Sequence, residues 1–128
     1  NCTVKLAGND AMQYDLKTAT VSASCPMITI GLTHTGKMPV TAMGHNAVIS
    51  QRVLYQAIAN DGLKAGAAAN YVPKNDARVI AATSLVGGGQ STKTTFPGSR
   101  LKAGGDYAFF CSFPGHAALM RGKLVVVK

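Results

Sequence analysis

The stretch Met-Ile-Thr-Ile-Gly-Leu-Thr-His-Thr at residues 27–35 decides the fold class of this chain. If the segment is extended, Ile28, Ile30 and Leu32 share one face, because successive side chains of a β-strand point to opposite sides. The intervening threonines and glycine then fall on the other face. This alternation predicts a strand with one buried face.

The same alternation recurs along the chain, between turn signals such as Gly87-Gly88-Gly89 and Pro97-Gly98. About eight short strands with such punctuation indicate an all-β chain, folded as an antiparallel sandwich or barrel. Together with 27–35, the candidate strands are residues 3–7, 45–50, 78–85, 91–96, 107–113 and 122–127.

Residues 52–69 depart from the strand pattern. They are rich in alanine, and Leu54, Ala57 and Ile58 recur at helical spacing. We expect a short helical insertion here, interrupted at Asn60-Asp61-Gly62 and packed against the sandwich. No repeat or linker divides the sequence, so residues 1–128 are predicted to form a single domain.

The composition excludes several classes of protein. A chain of 128 residues that is 47% hydrophobic suits a folded domain rather than a disordered one. No apolar run reaches the ~18–20 residues of a membrane helix, so no membrane span is expected. The net charge is +8, but the lysines and arginines are scattered singly rather than clustered, which argues against a nucleic-acid partner. The charge instead favours encounters with anionic partners.

Three cysteines allow at most one internal disulfide. Of the three possible pairings we predict Cys2–Cys25, because both residues lie in the N-terminal quarter and Cys111 lies far away. Such a bridge would place the protein in an oxidising compartment such as a periplasm. The alternative is three reduced, buried cysteines in a cytosolic protein.

The most informative stretch for function is Cys-Ser-Phe-Pro-Gly-His-Ala-Ala-Leu-Met at residues 111–120. It runs from the end of one predicted strand to the start of the next, so that Cys111, His116 and Met120 can fold back onto one point. His45 supplies a second imidazole from the start of another strand. A thiolate, two imidazoles and a weak thioether form the ligand set of blue-copper electron-transfer sites.

Each of these residues also has a simpler interpretation as part of the core. Cys111, His116 and Asn46 contain the residue types of a Cys–His hydrolase, but the chain is small and the cysteine does not lie at a helix N-terminus. Zinc would accept the cysteine and the histidines, although methionine is a poor zinc ligand. His34 continues the apolar face of residues 27–35 and is predicted to be a hydrogen-bonded core residue.

The sequence resembles the azurins, a family of small bacterial cupredoxins, over essentially its whole length. The resemblance is carried by Gly8-Asn9-Asp10, Met12-Gln13, Met43-Gly44-His45-Asn46, residues 76–81 and residues 110–120. It implies an eight-stranded Greek-key β-sandwich with a helical flap, and a single disulfide that matches Cys2–Cys25.

The resemblance also implies a role for each residue of the copper site. His45, Cys111 and His116 would be the equatorial ligands, with Met120 and the carbonyl oxygen of Gly44 as weak axial ligands. Asn46 and the backbone N–H of Phe113 would donate hydrogen bonds toward the cysteine sulfur or tie the ligand loops together, which tunes the reduction potential.

In this family electrons enter through the second histidine of the site. His116 would lie near the surface inside an apolar patch that serves as a docking surface. The patch consists of Met12, Met38, Met43, Phe113, Pro114 and Ala118. The resemblance implies a monomer that shuttles single electrons between periplasmic redox proteins, such as a c-type cytochrome and a copper or haem reductase, and that catalyses no reaction. The +8 charge predicts an acidic docking surface on the partner.

Two points stay open at the level of the sequence. The same ligands could serve copper storage, delivery or sensing, although a mixed site closed by a rigid loop favours retention of the metal. Azurins also commonly carry a buried tryptophan where this chain has Ala47, so the core must rearrange or contain a void, at a cost of roughly 3–5 kcal/mol if uncompensated.

Overall fold

The computed structural model describes residues 1–128 as two β-sheets packed face to face, with one helical insertion. The smaller sheet has the strand order β1-β3-β6, and the larger has the order β2-β8-β7-β4-β5. The strands are β1 (Thr3–Gly8), β2 (Thr18–Ser22), β3 (Ile28–His34), β4 (Val48–Gln51), β5 (Ala81–Ala82), β6 (Ser91–Phe96), β7 (Asp106–Phe110) and β8 (Arg121–Val127). This architecture confirms the predicted eight-stranded Greek-key sandwich.

The core lies between the two sheets and follows the alternation seen in the sequence. Ile28, Ile30 and Leu32 of β3 are almost completely buried, and they pack in one cluster with inward residues of the larger sheet such as Phe109 and Leu124. Ala47 belongs to the same cluster and has no exposed surface. The predicted Cys2–Cys25 disulfide is formed and ties the start of the chain to the turn before β3.

The prediction of an antiparallel sandwich was wrong for two strand pairs. β1 pairs with β3 in parallel, and β2 pairs with β8 in parallel. Parallel neighbours need long connections that leave the sheet and return. Here these connections carry chain from one sheet to the other, which alternation within a strand does not reveal.

Several strand boundaries also differ from the prediction. β2 was missed, because only Ala19 and Val21 face inward between polar residues and the apolar signal is weak. The predicted strand 78–85 is reduced to β5, and the predicted strand 45–50 begins only at Val48. The predicted strand 107–113 ends at Phe110, where the chain turns into a loop.

The helical insertion is present, but it is not interrupted where the sequence suggested. It contains a 3₁₀ turn at Arg52–Leu54, helix α2 at Tyr55–Ala65 and a second 3₁₀ turn at Ala67–Ala69; the short helix α1 (Val40–Met43) was not predicted. Gly62 lies inside α2 and is buried, and a Cβ atom there would overlap the carbonyl oxygen of Tyr71. Gly62 therefore permits close packing rather than ending the helix.

None of the helices is long and apolar enough to cross a membrane.

Candidate metal centre

The loop between β7 and β8 brings three of the predicted site residues together at one end of the sandwich. Cys111 follows the last residue of β7, and its backbone N–H donates to the carbonyl oxygen of Met120, 3.0 Å away. The N–H of Met120 donates in turn to the carbonyl oxygen of His116 at 2.7 Å. Gly115 adopts a φ of +81°, which a residue with a side chain rarely tolerates. These constraints fold residues 111–120 into a compact turn.

His45 joins this loop from the other side, between α1 and β4. One potential ligand atom from each of His45, Cys111 and His116 lies within 4.8 Å of the other two. The three residues are buried, and the Cys111 sulfur lies 3.6 Å from Nδ1 of His116. Two imidazoles and a thiol thus converge on one small volume.

Hydrogen bonds orient the His45 ring toward this volume. Its Nε2 lies 2.7 Å from the carbonyl oxygen of Asn9. A carbonyl oxygen only accepts hydrogen bonds, so Nε2 carries the proton and Nδ1 keeps a free lone pair. Nδ1 is buried and has no hydrogen-bond partner in the protein. Because a buried nitrogen without a partner is costly, this atom fits a metal ligand.

His34 stacks on His45, with the ring centroids 4.3 Å apart, but it does not point at the site. Its Nε2–H donates to the carbonyl oxygen of Met43 at 2.8 Å, and its Nδ1 accepts the N–H of Gly36 at 3.0 Å. Both ring nitrogens are satisfied, which confirms the prediction of a hydrogen-bonded core histidine.

Burial sets the protonation of the three converging groups. It raises the pKa of the Cys111 thiol to about 11, although hydrogen bonds from the backbone N–H groups of Asn46 and Phe113 oppose the rise. Burial lowers the pKa of His116 to about 4, helped by the proximity of His45 and His34, and burial likewise lowers the pKa of His45. At neutral pH the protein without metal therefore carries a protonated thiol and two neutral imidazoles.

Asn46 links the two ligand segments to the helical insertion. Its Nδ2 donates to Oγ of Ser112 at 2.8 Å and to the carbonyl oxygen of Asn70 at 3.0 Å, and its Oδ1 accepts the N–H of Ser112 at 2.8 Å. Tyr14 donates its hydroxyl hydrogen to the Asn46 carbonyl oxygen. Ser112, Asn70 and Tyr14 were not predicted from the sequence, because nothing in a loop marks a residue that supports another side chain.

The two predicted axial groups lie beside the same volume. The Gly44 carbonyl oxygen is 3.8 Å from the Cys111 sulfur. Met120 is completely buried, and a Cβ atom placed on Gly8 would lie 3.3 Å from its methyl carbon and 2.7 Å from Cδ2 of His45. Gly8 therefore leaves room for both side chains, a contact that the sequence motif alone does not reveal.

The surface above the site is apolar. The patch residues Met38, Pro114 and Ala118 are exposed, and Met12, Met43 and Phe113 are partly exposed. Leu119, which was not predicted, is 65% exposed beside them. His116 itself is only 2% exposed, and the ring centroid of the partly exposed Phe113 lies 4.6 Å from that of its imidazole.

Comparison with known proteins gives consistent results. The family model described as copper binding proteins, plastocyanin/azurin family, matches residues 1–127. The chain is 53% identical to Azurin-1 of Alcaligenes xylosoxydans xylosoxydans in an alignment of 126 residues that covers 98% of each chain. It is 51% identical over 123 residues to the azurin of Alcaligenes faecalis, which covers 96% of both. Among solved structures, the azurin Az-iso2 from Methylomonas sp. strain J superposes with a TM-score of 0.95 at 39% identity, covering 100% of this chain and 99% of that one.

Proposed function

The chain belongs to the plastocyanin/azurin family of copper-binding proteins, and we propose that His45, Cys111 and His116 hold its one copper ion. The protein is a type 1 copper electron-transfer protein. Copper cycling between Cu(I) and Cu(II) supplies the one-electron chemistry. The proposal rests above all on Nδ1 of His45, a buried nitrogen without a protein partner that faces a thiol and an imidazole.

We propose that Met120 and the Gly44 carbonyl oxygen would also hold the ion, more weakly than these three residues. The burial of Met120 and its backbone bonds to Cys111 and His116 support this assignment. Asn46 and the N–H of Phe113 would hold the cysteine sulfur and the ligand loops in place. Ligands that are already positioned need little rearrangement when the charge of the site changes, and this favours fast electron transfer.

We infer that the site passes electrons and transforms no substrate. The side chains of His45, Cys111 and Met120 have no exposed surface. A substrate would have no open path to a ligand position, whereas an electron needs only a short route to the surface.

We propose that this route runs through His116 to the apolar patch. The Phe113 ring contacts His116 and is itself partly exposed, so it extends the route beyond the buried imidazole. An exposed apolar patch on a small protein suits brief docking, and weak electron-transfer encounters need only a small interface.

Redox proteins are the partners that relatives of this kind imply, and we propose that their docking surface is acidic. The charge of this chain supports the proposal, because its five carboxylates are all engaged: Asp61 and Asp76 with Arg78, Asp106 with Arg52, and Asp10 and Asp15 with backbone N–H groups. Most of the thirteen basic residues therefore have no acidic partner within the chain.

Two of these unpaired charges lie next to the patch. Lys17 and Arg121 line a surface concavity together with Ala118 and Leu119. Arg121 donates a hydrogen bond to the Ala118 carbonyl oxygen at 3.0 Å, so its charge is held at the edge of the patch. We propose a c-type cytochrome or a copper or haem reductase as the partner of a monomer in the periplasm; the Cys2–Cys25 disulfide supports an oxidising compartment.

Adding Cu(II) to the metal-free protein tests the site. We expect an intense blue colour with a narrow copper hyperfine splitting, and loss of the colour in Cys111→Ala because the thiolate is removed. A colourless product, or colour that survives the substitution, would contradict the assignment.

Electron self-exchange, the transfer between oxidised and reduced copies, tests the route. Met43→Glu places a charge in the patch, whereas Met27→Glu makes the same change at an exposed methionine before β3, at the opposite end of that strand from His34. We expect slower exchange only in Met43→Glu, with an unchanged spectrum in both variants. Equal rates in the two variants would refute the docking role of the patch.

A further inference from the structure

The outer face of the smaller sheet carries a groove of about 570 Å³ that has no part in the copper site. Gly31, in the middle of β3, lies on its floor. Lys5 of β1 and Lys93 of β6 are the register partners of Gly31, so the three residues form one row across the sheet.

The structure gives no internal reason for a glycine at this position. β3 pairs continuously with both neighbours, so there is no bulge, and Gly31 does not have a positive φ. The nearest atom to a Cβ placed there would be the Val4 carbonyl oxygen at 3.8 Å, an ordinary contact. Glycine in a strand interior lowers stability and often marks a site where a ligand approaches the backbone closely.

The charges around Gly31 are positive only. Lys5 and Lys93 are exposed and form no ion pair, and β1, β3 and β6 contain no aspartate or glutamate. Because neighbouring strands lie ~4.8 Å apart, the Cα atoms of the lysines are separated by about 10 Å, and both long side chains can reach over the glycine between them. An anion bound there would relieve the repulsion between the two ammonium groups.

Hydroxyl groups complete the lining of the groove. Thr29 lies next to Gly31 in the lining, and Thr33 and Ser91 close the end nearer His34. Oγ1 of Thr33 and Oγ of Ser91 are 3.0 Å apart and share one hydrogen bond, so the hydroxyl hydrogen of the accepting residue stays free to donate. Two cations and a set of hydroxyl donors match an oxyanion, whose charged oxygens accept hydrogen bonds.

We propose that this groove binds a phosphate group, with Lys5 and Lys93 neutralising its charge and Gly31 allowing its oxygens to approach the sheet. Two kinds of ligand carry such a group: a small phosphate or phosphate ester in solution, and the headgroup of an anionic phospholipid. Binding here leaves the apolar patch free, because the groove and the patch share no residue.

Amide chemical shifts of the reduced protein, whose Cu(I) is diamagnetic, test the proposal during titration with inorganic phosphate and pyrophosphate. We expect saturable shifts centred on residues 29–33 and on the amides of Lys5 and Lys93. Lys5→Gln combined with Lys93→Gln should weaken binding at least tenfold. The matched control, Lys64→Gln with Lys128→Gln, removes the same charge elsewhere and should change it less than twofold.

Gly31→Val separates a binding role from a purely structural one. The added side chain fills the floor of the groove and strengthens the strand, so we expect a higher melting temperature together with at least tenfold weaker binding. Sedimentation with phosphatidylglycerol and with phosphatidylcholine vesicles distinguishes the sources. Retention on the anionic vesicles that the groove variants abolish supports the headgroup, and binding of free phosphate alone supports the soluble ligand. If neither the free phosphates nor the anionic vesicles bind, the proposal is overturned. It is also overturned if the control pair weakens binding as much as the lysine pair does.

Discussion

The number of protons released on metal uptake follows directly from the protonation of the buried site. With the pKa of the Cys111 thiol raised to about 11 and the pKa of His116 lowered to about 4, the metal-free protein holds one proton that a ligand must lose. Loading the protein with Zn²⁺, a redox-silent probe that leaves the thiol unoxidised, should therefore release one proton per ion at neutral pH.

The protonation of the same ligands determines how the affinity for the metal ion depends on pH. Protons compete with the metal, so binding strengthens as pH rises. From neutral pH up to about pH 10 one proton is displaced, and the dissociation constant should fall about tenfold per pH unit, which is about 1.4 kcal/mol. At acid pH the imidazoles also hold protons, His116 below about pH 4, so the dependence on pH should become steeper than tenfold per unit.

Calorimetric titrations in buffers of different ionisation enthalpy measure the proton count directly. Cys111→Ser is the control, because serine stays protonated; we expect weaker binding that releases no proton near neutral pH. Release of two protons by the unsubstituted protein would mean that one imidazole is charged, and release of none would mean that the thiolate exists before the metal arrives. Either result would refute the account of burial given above.

Three further substitutions test the supports of the site by denaturant unfolding of the metal-free protein. Asn46→Ala should lower the free energy of unfolding by about 2–5 kcal/mol, because it leaves the buried N–H of Ser112 without an acceptor and removes two more hydrogen bonds. A loss below about 1 kcal/mol would show that water replaces the amide. Gly62→Ala should destabilise the protein by about 1–3 kcal/mol, because the added methyl group overlaps Tyr71. In an exposed helix the same substitution would stabilise by about 1 kcal/mol, so a gain in stability would contradict the close packing. Cys25→Ser opens a loop with a sequence separation of 23 and should cost about 3 kcal/mol, with the blue colour retained; loss of the colour would mean that the bridge also shapes the site.

The sequence predicts a strand best where the alternation of its side chains alone determines the structure. The alternation in residues 27–35 locates β3 to within one residue at each end, because its inward side chains are large and its outward ones small. β2 obeys the same rule with Ala19 and Val21, whose signal is too weak to separate from a loop. The direction in which strands pair depends on connections that cross between sheets, and residue patterns do not record it.

The remaining differences between prediction and structure arise because one residue type can have several structural roles. A glycine that ends a helix and one that admits a neighbouring carbonyl look alike in a sequence, so Gly62 was misread. The ligand types at 111–120 are readable because few chemistries need them together. The packing of the Phe113 ring on His116 is not readable, because the motif does not fix the direction of that side chain.

The hydrogen bonds that fix the site belong to the polypeptide, and this sets an order for maturation of the protein. His45 is held by Asn9, and Asn46 by Ser112, through hydrogen bonds in which no metal takes part. The framework of the site can thus form before the ion is bound. Folding also buries Cys111 completely, at the end of the sandwich. Because Cys2 and Cys25 are joined to each other, the one free thiol of the folded chain is the buried thiol at the metal site.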